Sequence, residues 1–193
     1  MSESYNPESV IRLARPLDIA PAAEELTDLQ REVIALFDEL RSRLLRYVIA
    51  FGLSSADGEE IIQDAFLSLM KHLQQGRSRQ NLRGWLFRVA HNQSLKRLAS
   101  NERRFVRDGS AELETDARPD SAPSPEMQAT QAQRQARLLA VLNALPAQDQ
   151  SCLRLRAEGL RYREIAGVLG ISLGSVSASL ARSLEKLATV DER

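Results

Sequence analysis

LRGWLFRVAHNQSLKRLASNERRFVR, residues 82–107, is a proline-free run in which Leu82, Trp85, Leu86 and Val89 recur at intervals of three and one, the pattern of a helix with one apolar face. Taken back to residue 77, the segment holds Arg77, Arg79, Arg83, Arg88, Lys96, Arg97, Arg103, Arg104 and Arg107 against one acid, Glu102. So many cations cannot be buried without partners; one face therefore packs a core and the other meets solvent or a polyanion. Trp85, Phe87 and Phe105 lie among the cations. Bases for phosphate and rings for stacking are the mixture that suits single-stranded nucleic acid, although Trp85 sits on the apolar stripe and reads as core.

The surrounding composition narrows the function classes. At 193 residues, 43% hydrophobic and 27% charged, the chain has the make-up of a soluble globular protein. Its apolar runs fall far short of the roughly 20 residues that span a bilayer, and Met-Ser-Glu-Ser-Tyr at the start is not a basic segment followed by an apolar one. No membrane insertion and a cytoplasmic location are expected. Cys152 is the single cysteine, so neither an internal disulfide nor a cysteine-built zinc site is available, and its context reads as a helix core position. His72 and His91 lack metal-ligand spacing. No glycine loop for phosphate and no nucleophile motif appears, so no enzyme, no metal and no cofactor are expected.

The formal net charge of zero is a cancellation. The basic segment is flanked by acidic ones, and residues 108–126 carry six acids against one base. Charge by segment, rather than the isoelectric point, governs the attraction to nucleic acid.

Read in order, the chain divides into four parts. Residues 1–24, with Pro7, Pro16 and Pro21, read as a loosely ordered leader. Residues 25–107 read as a helical domain. Its first helix carries Val33, Leu36, Phe37, Leu40, Leu44, Tyr47, Val48 and Phe51, with Gly52 as a stop; its second buries Ile61, Ile62, Ala65, Phe66, Leu69, Met70 and Leu73 and shows an acidic face. Residues 108–130, rich in proline, serine and acids, read as a flexible linker. Residues 131–193 read as a second domain of four short helices. There Ala166, Gly170 and Val176 stand where a helix-turn-helix needs a small crossing residue, a turn glycine and a branched anchor. The fold class is all-α: two small helical domains joined by a flexible acidic linker, the second a four-helix unit with a helix-turn-helix.

The order of motifs resembles an extracytoplasmic-function (ECF) sigma factor of the bacterial sigma-70 family. The likeness rests on Asp57-Gly-Glu-Glu-Ile-Ile-Gln-Asp-Ala-Phe66, Leu82-Arg-Gly-Trp-Leu-Phe-Arg-Val-Ala-His-Asn92, the acidic linker, Leu142-Asn-Ala-Leu-Pro146 and Tyr162-Arg-Glu-Ile-Ala-Gly-Val-Leu-Gly-Ile-Ser-Leu-Gly-Ser-Val176. It implies a protein that binds core RNA polymerase, directs it to promoter DNA and promotes melting. By that resemblance Glu60, Gln63, Asp64 and Phe66 contact polymerase. Arg83, Arg88, Asn92, Lys96, Arg97, Arg103 and Arg104 capture the minus-ten strand. Arg161, Arg163, Ser175, Ser177, Ser179 and Arg182 read the minus-thirty-five element. ECF relatives are often sequestered by an anti-sigma partner.

Two departures from the family pattern stand out. Lys96 and Ala99 replace an aspartate and an arginine common in the family, and Ser177-Ala178-Ser179 stands where basic residues usually follow the valine. Phosphate contacts carry much of an affinity for DNA, so the second domain is expected to bind weakly and capture to rest on the first domain and polymerase. The alternatives are a helix-turn-helix transcriptional regulator, and a sigma-like adaptor that binds polymerase without reading promoters.

Overall fold

The computed structural model describes residues 27–108 and 125–191, and among them every regular element is a helix. The elements are α1 (Asp28–Ile49), α2 (Ser55–Gln74), α3 (Leu82–Asp108), α4 (Pro125–Asn143), α5 (Ala147–Ala157), α6 (Tyr162–Leu169) and α7 (Leu173–Asp191). The all-α fold is as the sequence implies. The leader lies outside the described residues, as does the linker from 109 to 124. Residues 125–130, read as linker, instead open α4.

Local chemistry sets the helix starts. Thr27 caps α1 in a reciprocal box: its hydroxyl accepts from the Gln30 amide, and the Gln30 side chain accepts from the Thr27 amide at 2.7 Å. Ser54 caps α2 by accepting from the Asp57 amide. Asn81, at φ 52°, caps α3 by accepting from the Gly84 amide at 3.1 Å. A Cβ on Gly84 would lie 2.4 Å from the Asn81 side chain, so the cap and the glycine go together.

Helices α1, α2 and α3 form the first domain around Leu40, Leu44, Val48, Ile62, Ala65, Leu69, Leu86 and Phe87, all buried. The α1–α2 crossing is close at Gly58, where a Cβ would meet Leu45 Cδ1 at 2.9 Å. In the second domain α5, α6 and α7 enclose Cys152, Leu155, Leu160, Ile165, Val176 and Leu180, and α4 packs along α7. Gly170 (φ 67°) ends α6 in the left-handed region, and the chain turns by 106° into α7, within the range of a helix-turn-helix.

The two domains touch. Helix α6 lies against α3, and the buried side chains of both domains form one continuous cluster. At the junction the Tyr47 hydroxyl and His91 Nδ1 share a hydrogen bond of 2.9 Å. Burial pushes the Tyr47 phenol well above its ordinary value and lowers His91, so both favour their neutral forms.

Leu69 is fully enclosed in the first core. Leu69→Ala should therefore destabilise the protein by about 2–5 kcal/mol in urea unfolding followed by circular dichroism.

Candidate nucleic-acid interface

Helix α3 divides its faces as its sequence requires. Leu82, Leu86, Phe87, Ala90 and His91 point inward, while Arg88, Asn92, Lys96 and Arg103 are exposed. Steps of four, four and seven keep these exposed residues along one side of the helix. With a rise of about 1.5 Å per residue the stripe runs roughly 22 Å. Arg88 and Lys96 enter no ion pair among the described residues, and Arg103 Nε donates to the Ala99 carbonyl one turn back.

The other cations expected on this surface are placed differently. Arg97 is half-buried between α3 and α2, pairing with Asp57 at 2.7 Å and Glu60 at 2.8 Å. Its hydrogen bond to Glu60 raises its pKa further, against the opposing effect of burial. Arg83 is half-buried and turned toward the second domain, where it donates to the Glu158 carbonyl at 2.6 Å. The side chain of Arg104 lies outside the described residues.

On α2, Glu60, Gln63 and Asp64 are exposed together, whereas Phe66 is buried edge-to-face against Phe37 at 5.0 Å. Phe66 thus supports the acidic face from beneath. Leu67, absent from the residues picked out in the sequence, is 54% exposed. It lies one helical turn from Gln63 and Asp64, and its signal was an apolar residue off the buried stripe of α2.

In the helix-turn-helix, Arg161, Arg163 and Ser177 are exposed. Ser172 caps α7 by accepting from the Ser175 amide at 3.0 Å, and the two hydroxyls lie 2.9 Å apart, so Ser175, in the first turn of α7, is engaged in the cap. Ser179 is fully buried and takes a hydrogen bond from Gln148, out of reach of a ligand in this arrangement. Arg182 grips the buried Asp149 carboxylate with two hydrogen bonds of 2.8 and 3.2 Å, tying α7 to α5. Tyr162 and Leu173 add exposed apolar surface at the starts of the two helices.

The Asp149 carboxyl is held below the ordinary carboxylate range, first by its hydrogen bond from Arg182. A lowered folded-state pKa adds stability above the unfolded value near 4 that is lost as pH falls through the folded one. Asp149→Asn should lower the thermal midpoint at pH 7 by about 4 °C or more and flatten its decline between about pH 5 and pH 2. Calorimetry across that range measures both.

Comparison with known proteins gives the two halves separate matches. The Sigma-70 region 2 family matches residues 36–104, and the Sigma-70, region 4 family matches residues 135–187. The probable RNA polymerase sigma factor RfaY of Xanthomonas campestris is 31% identical over 129 residues, covering 66% of this chain and 32% of that protein. The ECF RNA polymerase sigma factor SigE of Mycolicibacterium smegmatis is 29% identical over 144 residues, covering 73% and 55%. The chain thus spans about a third and about half of the lengths of these two relatives. The sigma factor CnrH of Cupriavidus metallidurans is 27% identical over 192 residues and covered to 96% on both sides.

Among solved structures, the sigma factor RpoE in complex with the anti-sigma factor NepR from Bartonella quintana matches with a TM-score of 0.62 at 19% identity, covering 86% of this chain and 98% of that one. CnrH in complex with the cytosolic domain of CnrY matches at 0.56 and 22%, covering 84% and 89%. At these identities the likeness is one of fold.

Proposed function

The chain belongs to the sigma-70 family, as an ECF-type RNA polymerase sigma factor with regions 2 and 4, and from that premise we propose that it brings core polymerase to specific promoters and melts them through α3. The carrying observation is the stripe of Arg88, Asn92, Lys96 and Arg103, exposed on one side of a helix whose other side is locked into a core. Such a stripe offers guanidinium and ammonium groups to phosphates and an amide to a base edge on a strand already separated from its complement. Core polymerase supplies the catalysis; the reading gives this chain neither cofactor nor reaction of its own.

In this reading Glu60, Gln63 and Asp64, with Leu67 beside them, form the polymerase-facing patch of α2. Arg161, Arg163 and Ser177 remain to approach the minus-thirty-five duplex, a small cationic set that makes the second domain the weaker contact. An anti-sigma factor joins polymerase and promoter DNA as a partner class, supported by the complexes in which RpoE and CnrH were solved. A cytoplasmic place fits those partners, and no single helix among the described residues is long and apolar enough to cross a membrane.

One observation favours a second reading, a sigma-like adaptor that binds polymerase without reading promoters. Ser179 and Arg182, two of the groups expected on DNA, are committed inside the second domain. Run-off transcription with core polymerase over genomic fragments separates the two: specific transcripts support initiation, and polymerase binding without transcripts supports the adaptor.

The stripe itself gives a quantitative expectation. Replacing Arg88, Lys96 and Arg103 by alanine in the holoenzyme should abolish detectable opening. It should also reduce the slope of log affinity against log salt for a forked promoter probe by about two, from three lost single-strand phosphate contacts.

A further inference from the structure

Residues 75–81 join α2 to α3, and every one of them is exposed. With no side chain in the core, such a segment takes no order from apolar burial. It is held instead by polar tethers from all three helices of the first domain. From α2, His72 Nε2 lies 2.9 Å from the Ser78 carbonyl oxygen; a carbonyl can only accept, so Nε2 carries the proton and donates. From α1, Glu32 Oε2 pairs with Arg79 Nη1 at 2.9 Å. At the entry to α3 the Asn81 side chain accepts from the Gly84 amide. Within the segment the Gln80 amide donates to Ser78 Oγ at 3.2 Å, and Gly76 (φ 67°) supplies the left-handed turn that leaves α2.

The His72 ring has a second neighbour. Its centroid lies 5.0 Å from that of Trp85, which packs against the core of the first domain. The ring thus stands between the loop and the helix that carries the cationic stripe, and fixes one against the other. The tethers occupy Ser78, Arg79 and Asn81. They leave Gln75, Arg77 and Gln80, whose side chains are exposed and enter no hydrogen bond or ion pair among the described residues. Two amides that both donate and accept, with a guanidinium between them in sequence, suit the edge of an unpaired base and its phosphate. The stripe begins at Arg88, seven residues past Asn81 and about 10 Å further along the helix.

We propose that His72 is a positioning residue for strand capture: through the Ser78 carbonyl it holds the 75–81 loop in the shape in which Gln75, Arg77 and Gln80 meet the separated strand. The inference rests on reading α3 as the strand-capturing helix. His72 itself touches no nucleic acid, since its ring is taken up by the loop backbone and Trp85. Arg77 and Arg79 also part company, for the guanidinium of Arg79 is a strut to α1 and that of Arg77 is offered to phosphate. A loop ordered in advance spares the complex the cost of ordering it. It also keeps the two amides at a fixed distance from the stripe, so that they select a base at one place on the strand.

The test uses holoenzyme reconstituted from the full chain and core polymerase. It is offered a pool of single-stranded DNA 12-mers of fully randomised sequence, and the bound fraction is sequenced. His72→Phe keeps a ring against Trp85 and loses the donor, whereas His72→Gln places an amide donor near the position of Nε2. The parent should show base preferences at several positions of the bound strands. His72→Phe should weaken the preference at one or two adjacent positions by about fivefold, the worth of one net hydrogen bond, and leave the others as they were. His72→Gln should restore it. Full preference in His72→Phe, or an equal loss at every position, overturns the positioning role, and so does a parent with no base preference. Arg88→Ala, measured beside them, keeps this separate from the reading of α3. Weaker binding in Arg88→Ala with an unaltered His72→Phe profile removes the positioning role alone, and unchanged binding in Arg88→Ala removes the reading on which it rests.

Discussion

Everything in the first domain depends on α3 being pinned along one side. Leu82, Leu86, Phe87 and Ala90 sit in the core made with α1 and α2, and His91 closes that face through its hydrogen bond to Tyr47. Burial of this face fixes the rotation of the helix, and rotation alone decides which residues turn outward. Arg88, Asn92, Lys96 and Arg103 then form a stripe without any contact of their own being needed to hold them there. Burial preorganises the backbone that carries this cationic surface, so a strand that binds it has only the exposed side chains to order.

The same economy appears in the polar contacts that do cross between helices. Arg97 joins α3 to α2 through Asp57 and Glu60, and Arg182 joins α7 to α5 through Asp149. Each takes a cation that the sequence assigns to DNA and uses it to hold two helices in register. The cost is a smaller recognition set, most severe in the second domain, where the serine-rich start of α7 offers no replacement. On the proposed reading, attachment to polymerase, rather than contact alone, would hold the second domain against DNA.

Periodicity made much of the fold legible. The apolar stripes of α1 and α2, the split character of α3, and the Ala166, Gly170 and Val176 spacing of the helix-turn-helix all follow from local rules. The start of α4 is not legible from composition, because Pro125 reads as one more linker proline; at the first position of a helix its missing N–H costs nothing. The pairing of Arg97 with Asp57 spans forty residues and that of Arg182 with Asp149 thirty-three, so neither leaves a mark in local sequence. Arg83 was the least legible, since its partner belongs to the other domain. Burial of Phe66 and exposure of Leu67 show the limit of residue type as a guide: neighbours on one helix differ in role by about 100° of rotation.

The central claim is that the outward side of α3 lies against the separated strand during initiation. Photo-crosslinking in the complete initiation complex tests this directly, with benzoylphenylalanine at Asn92 on the stripe or at Asp38 on the exposed side of α1. The account predicts crosslinks from position 92 to the non-template strand near the minus-ten element, and none from position 38. An active complex in which position 92 never reaches that strand would contradict it.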